Sequence, residues 1–180
     1  MENRKLEIAS KLFYKTILAQ IINLDLEDVA KNKLTQVQLS CMYYVYVHNE
    51  PSVGAIAGGL HTSDAAAVKL IDRLVKRNLL LREEAHEDRR VLRIKLTIQG
   101  RDLLERYCAM QKEHFNEIIK NMSKEAVGSL EYGLSEFLKV ALVEPEQVDD
   151  ICLKCGWEHI PDCPGNVRYI ELTGHEKEKI

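Results

Sequence analysis

One hairpin pattern sits in an otherwise helical chain. It is "NLLLREEAHEDRRVLRIKLT", residues 78–97. Leu79–Arg82 and Val91–Leu96 are short runs, branched or alternating, with a charged turn between them, which reads as two β-strands. On both sides the apolar residues recur at steps of three and four, so any fold has to set one hairpin among helices. Upstream, Leu6, Ala9, Phe13, Ile17, Ile21 and Leu24 predict a helix over residues 4–24. Thr35 caps a second helix running to about His48, which "NEPS" ends. Ser52 starts a short third helix, "VGAIAGGL", whose glycines leave it dependent on tertiary packing. "HTS" interrupts, and Thr62 or Ser63 caps a fourth helix from Asp64 to Arg77. Its inward stripe is Ala67, Leu70, Ile71 and Leu74; its outward face shows Ser63, Asp64, Ala66, Lys69, Arg73 and Lys76. After the hairpin, Leu104, Tyr107, Cys108, Phe115, Ile118, Ile119 and Met122 predict a long helix from Thr97. Ser123 separates it from a sixth, marked by Val127, Leu130, Leu134, Phe137, Leu138 and Ala141 and ended by "EPEQ".

The chain has 180 residues, 46% of them hydrophobic, enough for a core and against wholesale disorder. "MENRKLEIASKLFYKT" lacks the apolar centre of a signal peptide, and no run approaches the ~18 apolar residues of a membrane span. The expectation is a cytoplasmic protein with no membrane partner, in which five cysteines make a poor disulfide framework. Net charge is −3 but unevenly spread. Residues 53–101 carry ten bases and six acids, whereas residues 143–180 carry four bases and nine acids. A basic middle on an acidic chain points modestly to a polyanion.

Helix, short helix, turn, helix, charged hairpin is the order of a winged helix-turn-helix. The expected fold class is mainly α, with long dimerisation helices and one β-hairpin wing. Such a unit suits DNA. A helix fits the major groove, and arginines at a hairpin tip, here Arg89 and Arg90, suit the negative potential of the minor groove. At "EDRRVLRIKLTIQGRDLL", Glu87–Leu104, the chain resembles the MarR family of transcriptional regulators. Asp88, Arg90, Leu96, Thr97 and Gly100 match that family's wing pattern of Asp-x-Arg, then Leu-Thr, then x-x-Gly opening a long helix. "LIDRLVKRNLLLRE" looks like the end of the recognition helix and the first wing strand. The resemblance covers about residues 4–142. It implies a two-fold dimer with recognition helices roughly 34 Å apart, on a short pseudo-palindrome in double-stranded DNA. It also implies that Arg90 is the wing arginine and Asp88 its salt-bridge partner. Arg89 adds a phosphate or minor-groove contact, and Ser63, Asp64, Ala66, Lys69 and Arg73 are the candidate contacts on the recognition helix. The bland reading is that Lys69 and Arg73 merely lay their stems over apolar surface.

"CMYYVYVH", residues 41–48, offers Tyr43 and Tyr46 as the lining of a small-effector pocket, although Tyr43, Tyr44 and Tyr46 read as well as packing residues. Cys41 and Cys108 lie on apolar helix faces and read as inert small hydrophobes. His48, His61, His86 and His114 have no metal partner at a helical spacing and receive no role.

The resemblance ends near Glu144, but the chain continues to Ile180. Glu144, Glu146, Asp149 and Asp150 open the extension, so contact with DNA is not expected there. "CLKCGWEHIPDC" then places Cys152, Cys155, His159 and Cys163 within twelve residues. The spacing suggests a Cys-x-x-Cys tight turn eased by Gly156, with His159 a helical turn beyond Cys155 and Pro164-Gly165 bending the chain away. These four suit tetrahedral zinc. An iron–sulfur cluster on the three cysteines is the alternative. A reversible Cys152–Cys155 disulfide is a third reading, and a loop of unligated cysteines the fourth. His175 could replace His159. "VRYIEL", Val167–Leu172, alternates like a short strand.

The domain reading is therefore an N-terminal dimerisation helix over 1–34 and a winged helix-turn-helix over 35–100, then dimerisation helices over 101–143 and a metal-binding extension over 144–180. The expected function is that of a homodimeric DNA-binding regulator, in the form of a repressor, controlled by the tail or by an effector. No phosphate-cradling loop, nucleophile elbow or paired-carboxylate site suggests catalysis. The alternative is a redox or metal-handling protein whose winged helix serves only in dimerisation or protein binding.

Overall fold

A computed structural model describes residues 3–22, 34–48, 50–84, 92–155 and 160–177. The element order is α1 (Arg4–Ile17), α2 (Gln36–Val47), α3 (Val53–Gly59), α4 (Asp64–Lys76), β1 (Leu80–Glu84), β2 (Leu92–Leu96), α5 (Ile98–Lys120), α6 (Lys124–Ala141), α7 (Pro145–Cys155) and α8 (Pro164–Thr173). A π-helical turn, Leu18–Ile22, extends α1.

Side chains at six helix starts accept a hydrogen bond from the backbone N–H three residues on: Thr35, Ser52, Ser63, Thr97, Ser123 and Cys163. Each satisfies one of the donors that a helix N-terminus leaves over. At α2 the arrangement is reciprocal. Thr35 Oγ1 accepts from Gln38 N at 3.3 Å, and Gln38 Oε1 accepts from Thr35 N at 2.9 Å.

The core lies where α2, α3, α4, the hairpin and the start of α5 meet. It holds Met42, Val45, Ile56, Leu70, Ile71, Leu74, Leu79, Leu80, Ile94, Leu103 and Leu104. The two strands are antiparallel, with Leu80 opposite Leu96 and Arg82 opposite Ile94. The base of the hairpin is anchored in this core. Ile94 is fully buried and donates its N–H to Pro51 O at 3.0 Å, beside a bridge between Ser52 and Arg93. Ion pairs add two further ties. Arg82 meets Asp72 of α4 at 2.7 Å, and Lys95 lies between Glu50 and Glu83, 2.7 Å from each.

The extension departs from its sequence reading. Pro145–Cys155 is helical, so the Cys152-x-x-Cys155 pair occupies the last turn of α7 rather than a tight turn. The expected strand over Val167–Leu172 is helix α8. Cys163 caps it, Pro164 occupies its first turn, and Gly174 ends it in the left-handed conformation (φ 82°). Those end signals outweigh six residues of alternation, because Pro at the first turn and Gly past the last are compatible with little else. Pro164-Gly165 therefore opens a helix instead of bending the chain out.

The two tail helices are docked. Val148 is fully buried and Leu142 nearly so. Arg168 Nε donates to Leu142 O at 2.7 Å, across the end of α6. Asn166, with no exposed surface, donates from Nδ2 to Pro161 O at 2.8 Å and accepts Lys177 N on Oδ1 at 3.1 Å. The Lys177 ammonium, almost wholly buried, pairs with Asp149 and lies 5.2 Å above the Tyr169 ring. A buried cation so paired satisfies its own desolvation cost only in the folded tail.

Candidate nucleic-acid interface

Helix α4 divides as its periodicity predicts. Ala67, Leu70, Ile71 and Leu74 are buried, while Ser63, Asp64, Ala66, Lys69, Arg73 and Lys76 are exposed. Ala66, Lys69 and Arg73 follow at steps of three and four, so they share one outward stripe. Ser63 has a structural duty as well, since its Oγ accepts from Ala66 N at 3.3 Å. Asp72, on the flank, is taken by Arg82. The stripe therefore presents two cations beside a small residue and a capped N-terminus, a face with room to approach a polyanion.

Asp88, Arg89 and Arg90 lie outside the described residues, and so does His86. What the structure does give is the base of the wing. Lys95 is locked into a three-residue ion pair, and its hydrogen bonds to Glu50 and then Glu83 hold its ammonium above the usual lysine range. Arg93 donates to Glu50 O at 3.4 Å. The strand cations thus brace the hairpin against the α2–α3 connection. Their alternation in the sequence gave no sign of this.

The tyrosines separate by environment. Tyr44 is buried, stacked on His48 with ring centroids 4.0 Å apart. Tyr43 is half-buried, 6.3 Å from the exposed ring of Tyr46, over which Arg101 lies at 5.2 Å. Cys41 is fully buried, and burial pushes its thiol up to about 12; Cys108 is raised too, by burial and then by Glu105.

Two of the four tail ligands suggested by spacing come together. An ideal Cβ on Gly165 would lie 3.2 Å from Cys152 Sγ and 3.9 Å from Cys163 Sγ, so both thiols crowd the same bare backbone position. Cys163 Sγ also accepts from Asn166 N at 3.2 Å. The Cys155 side chain and His159 lie outside the described residues, and among the described residues no three Cys, His, Asp or Glu side chains converge. His175 is turned elsewhere, its Nδ1 3.0 Å from Thr173 O and its ring edge-on to Tyr169.

Two histidines without a role in the sequence reading have partners. His61 Nε2 contacts Asp150 of α7. The His48 imidazole is held below its ordinary value, chiefly by burial and then by the Lys177 ammonium.

A family model described as the MarR family matches residues 34–92, which run from the start of α2 through α3 and α4 to the hairpin. The HTH-type transcriptional regulator YsmB of Bacillus subtilis is 24% identical over 101 residues, 56% of this chain and 69% of that protein. The HTH-type transcriptional repressor MdtR of the same organism is 28% identical over 100 residues, 56% of this chain and 64% of that one. The crystal structure of Streptococcus pneumoniae FabT in complex with DNA superposes with a TM-score of 0.63 at 17% identity, covering 78% of this chain and 97% of the other. Residues 34–92 thus match the MarR family, and the fold in which they sit is a winged helix-turn-helix shared with the FabT structure. Among the described residues no helix is long and apolar enough to cross a membrane.

Proposed function

We propose that the protein works in the cytoplasm as a homodimer that binds a pseudo-palindromic duplex and represses the promoter it covers. The observation that carries this reading is the division of α4, with four apolar residues locked in the core and Lys69 and Arg73 standing outward. Its N-terminal residues, Ser63, Asp64 and Ala66, are the ones that reach base edges when such a helix enters a major groove. Lys69 and Arg73 neutralise phosphates, and Arg89 and Arg90 at the wing tip enter the adjacent minor groove, Arg90 oriented by Asp88. That a structural relative was crystallised in complex with DNA supports the same use of this fold.

The dimer reading rests on surface chemistry. Neither α1 nor α6 buries a residue within its own chain. On these two helices Leu6, Tyr132, Phe137 and Val140 keep two-thirds or more of their surface exposed. Helices of this length are marginal in water unless an apolar face is covered, and a second copy covers both. Control then acts on the spacing of the two recognition helices. A tail-bound metal, or an effector resting on Tyr43 and Tyr46, favours one spacing, and a few ångströms of error lose the second half-site.

The test is selection of duplexes from a random-sequence pool, followed by affinity measurements across a salt series. The expected result is an enriched two-fold sequence, with log affinity falling linearly in log salt. Arg90→Ala should weaken it about tenfold or more. Absence of salt-dependent DNA binding, or an unchanged affinity in Arg90→Ala, would sink the reading and leave the winged helix as a protein-binding module.

A further inference from the structure

Helix α3 ends in a Schellman motif. His61 N donates to Gly58 O at 3.0 Å and Thr62 N to Ala57 O at 2.9 Å. The residue in the left-handed position is His61 (φ 49°). That position is ordinarily filled by glycine, because a Cβ there costs backbone energy. Helix α8 follows the rule with Gly174, and the end of α4 uses Asn78 (φ 56°), the next most tolerant type. Histidine is also among the non-glycine types that tolerate this position, and here it carries a long-range contact besides. The contact is made by its side chain, whose Nε2 meets Asp150, 89 residues away on α7.

Asp150 sits two residues before Cys152, so the same turns of α7 carry the contact to the helix-turn-helix and one of the two converging thiols. His61 lies in the turn that feeds the recognition helix, two residues before its cap Ser63. At the α7–α8 junction Cys152 and Cys163 share one point of the backbone, kept open by the missing Cβ of Gly165. Two thiols from successive helices supply two donors suited to a soft-to-borderline divalent cation. The tail has only Val148 and Asn166 wholly buried among its described residues, so a cross-link between its helices changes their order substantially.

We propose that Cys152 and Cys163 are two ligands of a Zn²⁺ site at the α7–α8 junction, and that occupancy of this site sets the helix-turn-helix turn of the same protomer through the Asp150–His61 contact. The second half of the proposal rests on the DNA-binding reading above; the first does not. With zinc bound, α7 is held and His61 is tied. With zinc removed, α7 loosens, the tie is lost and α4 samples other orientations. The partner subunit need not relay the signal.

The experiment uses the full-length protein purified without oxygen. Zinc content is measured directly, Co²⁺ is substituted for Zn²⁺, and affinity is measured for the duplex enriched from the random pool. About one zinc per chain is expected, with a thiolate-to-cobalt charge-transfer band that weakens in both Cys152→Ser and Cys163→Ser. Chelation should change the DNA affinity of the native protein about tenfold, the usual scale of coupling between sites. In His61→Gly the left-handed turn suits the new residue, so fold and zinc content should persist while the effect of chelation falls to about twofold or less. Zinc content and cobalt band unaffected by both cysteine changes would overturn the site, as would iron with sulfide in place of zinc. Full zinc dependence retained in His61→Gly would overturn the route. A cobalt band with no enriched duplex would uphold the site and fail the DNA-binding reading instead.

Discussion

Gly100 begins α5 directly beneath the carbonyl of Leu79. A Cβ there would stand 2.0 Å from that oxygen, a backbone atom that cannot swing aside. Thr97 prepares the approach: its Oγ1 donates to Asn78 O at 2.7 Å and accepts from Gly100 N at 2.9 Å. The Leu-Thr-x-x-Gly pattern is thus a strand-to-helix corner whose last member must lack a side chain. Gly100→Ala is expected to cost about 3 kcal/mol, through forced displacement of β1 or α5, read as a lowered thermal midpoint. At Cys41 the prediction concerns pH. The folded chain holds its proton to about pH 12, against 9.0 for an exposed thiol, because burial disfavours the thiolate. Above pH 9 the unfolded chain therefore loses this proton first, and stability falls as pH rises toward 12. Urea midpoints at pH 8 and pH 10 should differ, and Cys41→Ala should flatten that fall while leaving the slope due to Tyr107, also held up to about 12 by burial. An equal slope in both proteins would rule out Cys41 as a source.

At the scale of elements, α4 was fully legible. The 3.6-residue stripe named all four of its buried residues, since one helix packed on one core has only one way to face. Its outward cations are not tied into the core, so Lys69→Ala and Arg73→Ala should leave the melting temperature within about 1 °C. Each should reduce the slope of log affinity against log salt by about one if it contacts a phosphate. Ser63→Ala differs, since it removes a cap and should cost about 1 kcal/mol of stability as well. The tail elements were read less well. Alternation in "VRYIEL" favoured a strand, yet Cys163 at the cap, Pro164 in the first turn and Gly174 past the end decided for α8. Helix α7 is not among the predicted elements, because its opening acids are informative only against DNA contact. Only packing shows that Val148 among them is fully buried and Asp149 is neutralised by Lys177.

The molecule as a whole has an uneven surface. Its winged helix is closed around a core, whereas α1 and α6 bury no residue fully among the described residues and leave much apolar surface exposed. The predicted consequence is a solution mass of two chains at micromolar concentration. Phe137→Asp combined with Leu12→Asp should give a monomer with reduced helical circular dichroism, because helices without a buried face fray. A double variant that stays dimeric would place the interface elsewhere. Among the described residues the tail is joined to this body at four points: Arg168 to the carbonyl of Leu142, Glu171 to Lys139, Asp150 to His61, and the Lys177 charge near His48. Each joins residues far apart in sequence, and none could be read from spacing.

The sequence by itself determined the local events. Side chains that cap a helix, stripes that face inward and strands that pair across a short turn act within a few residues of one another. They leave a period or an end signal in the chain, as at Thr35, Ser63 and Thr97. The same locality made the cysteines of the tail visible as a cluster. Only the tertiary structure decided that Cys152 and Cys163 meet over Gly165, and that a histidine in a strained turn reaches the helix that carries one of them. Such contacts depend on how whole helices dock. Docking is set by the summed burial of many side chains rather than by any pattern within a single segment.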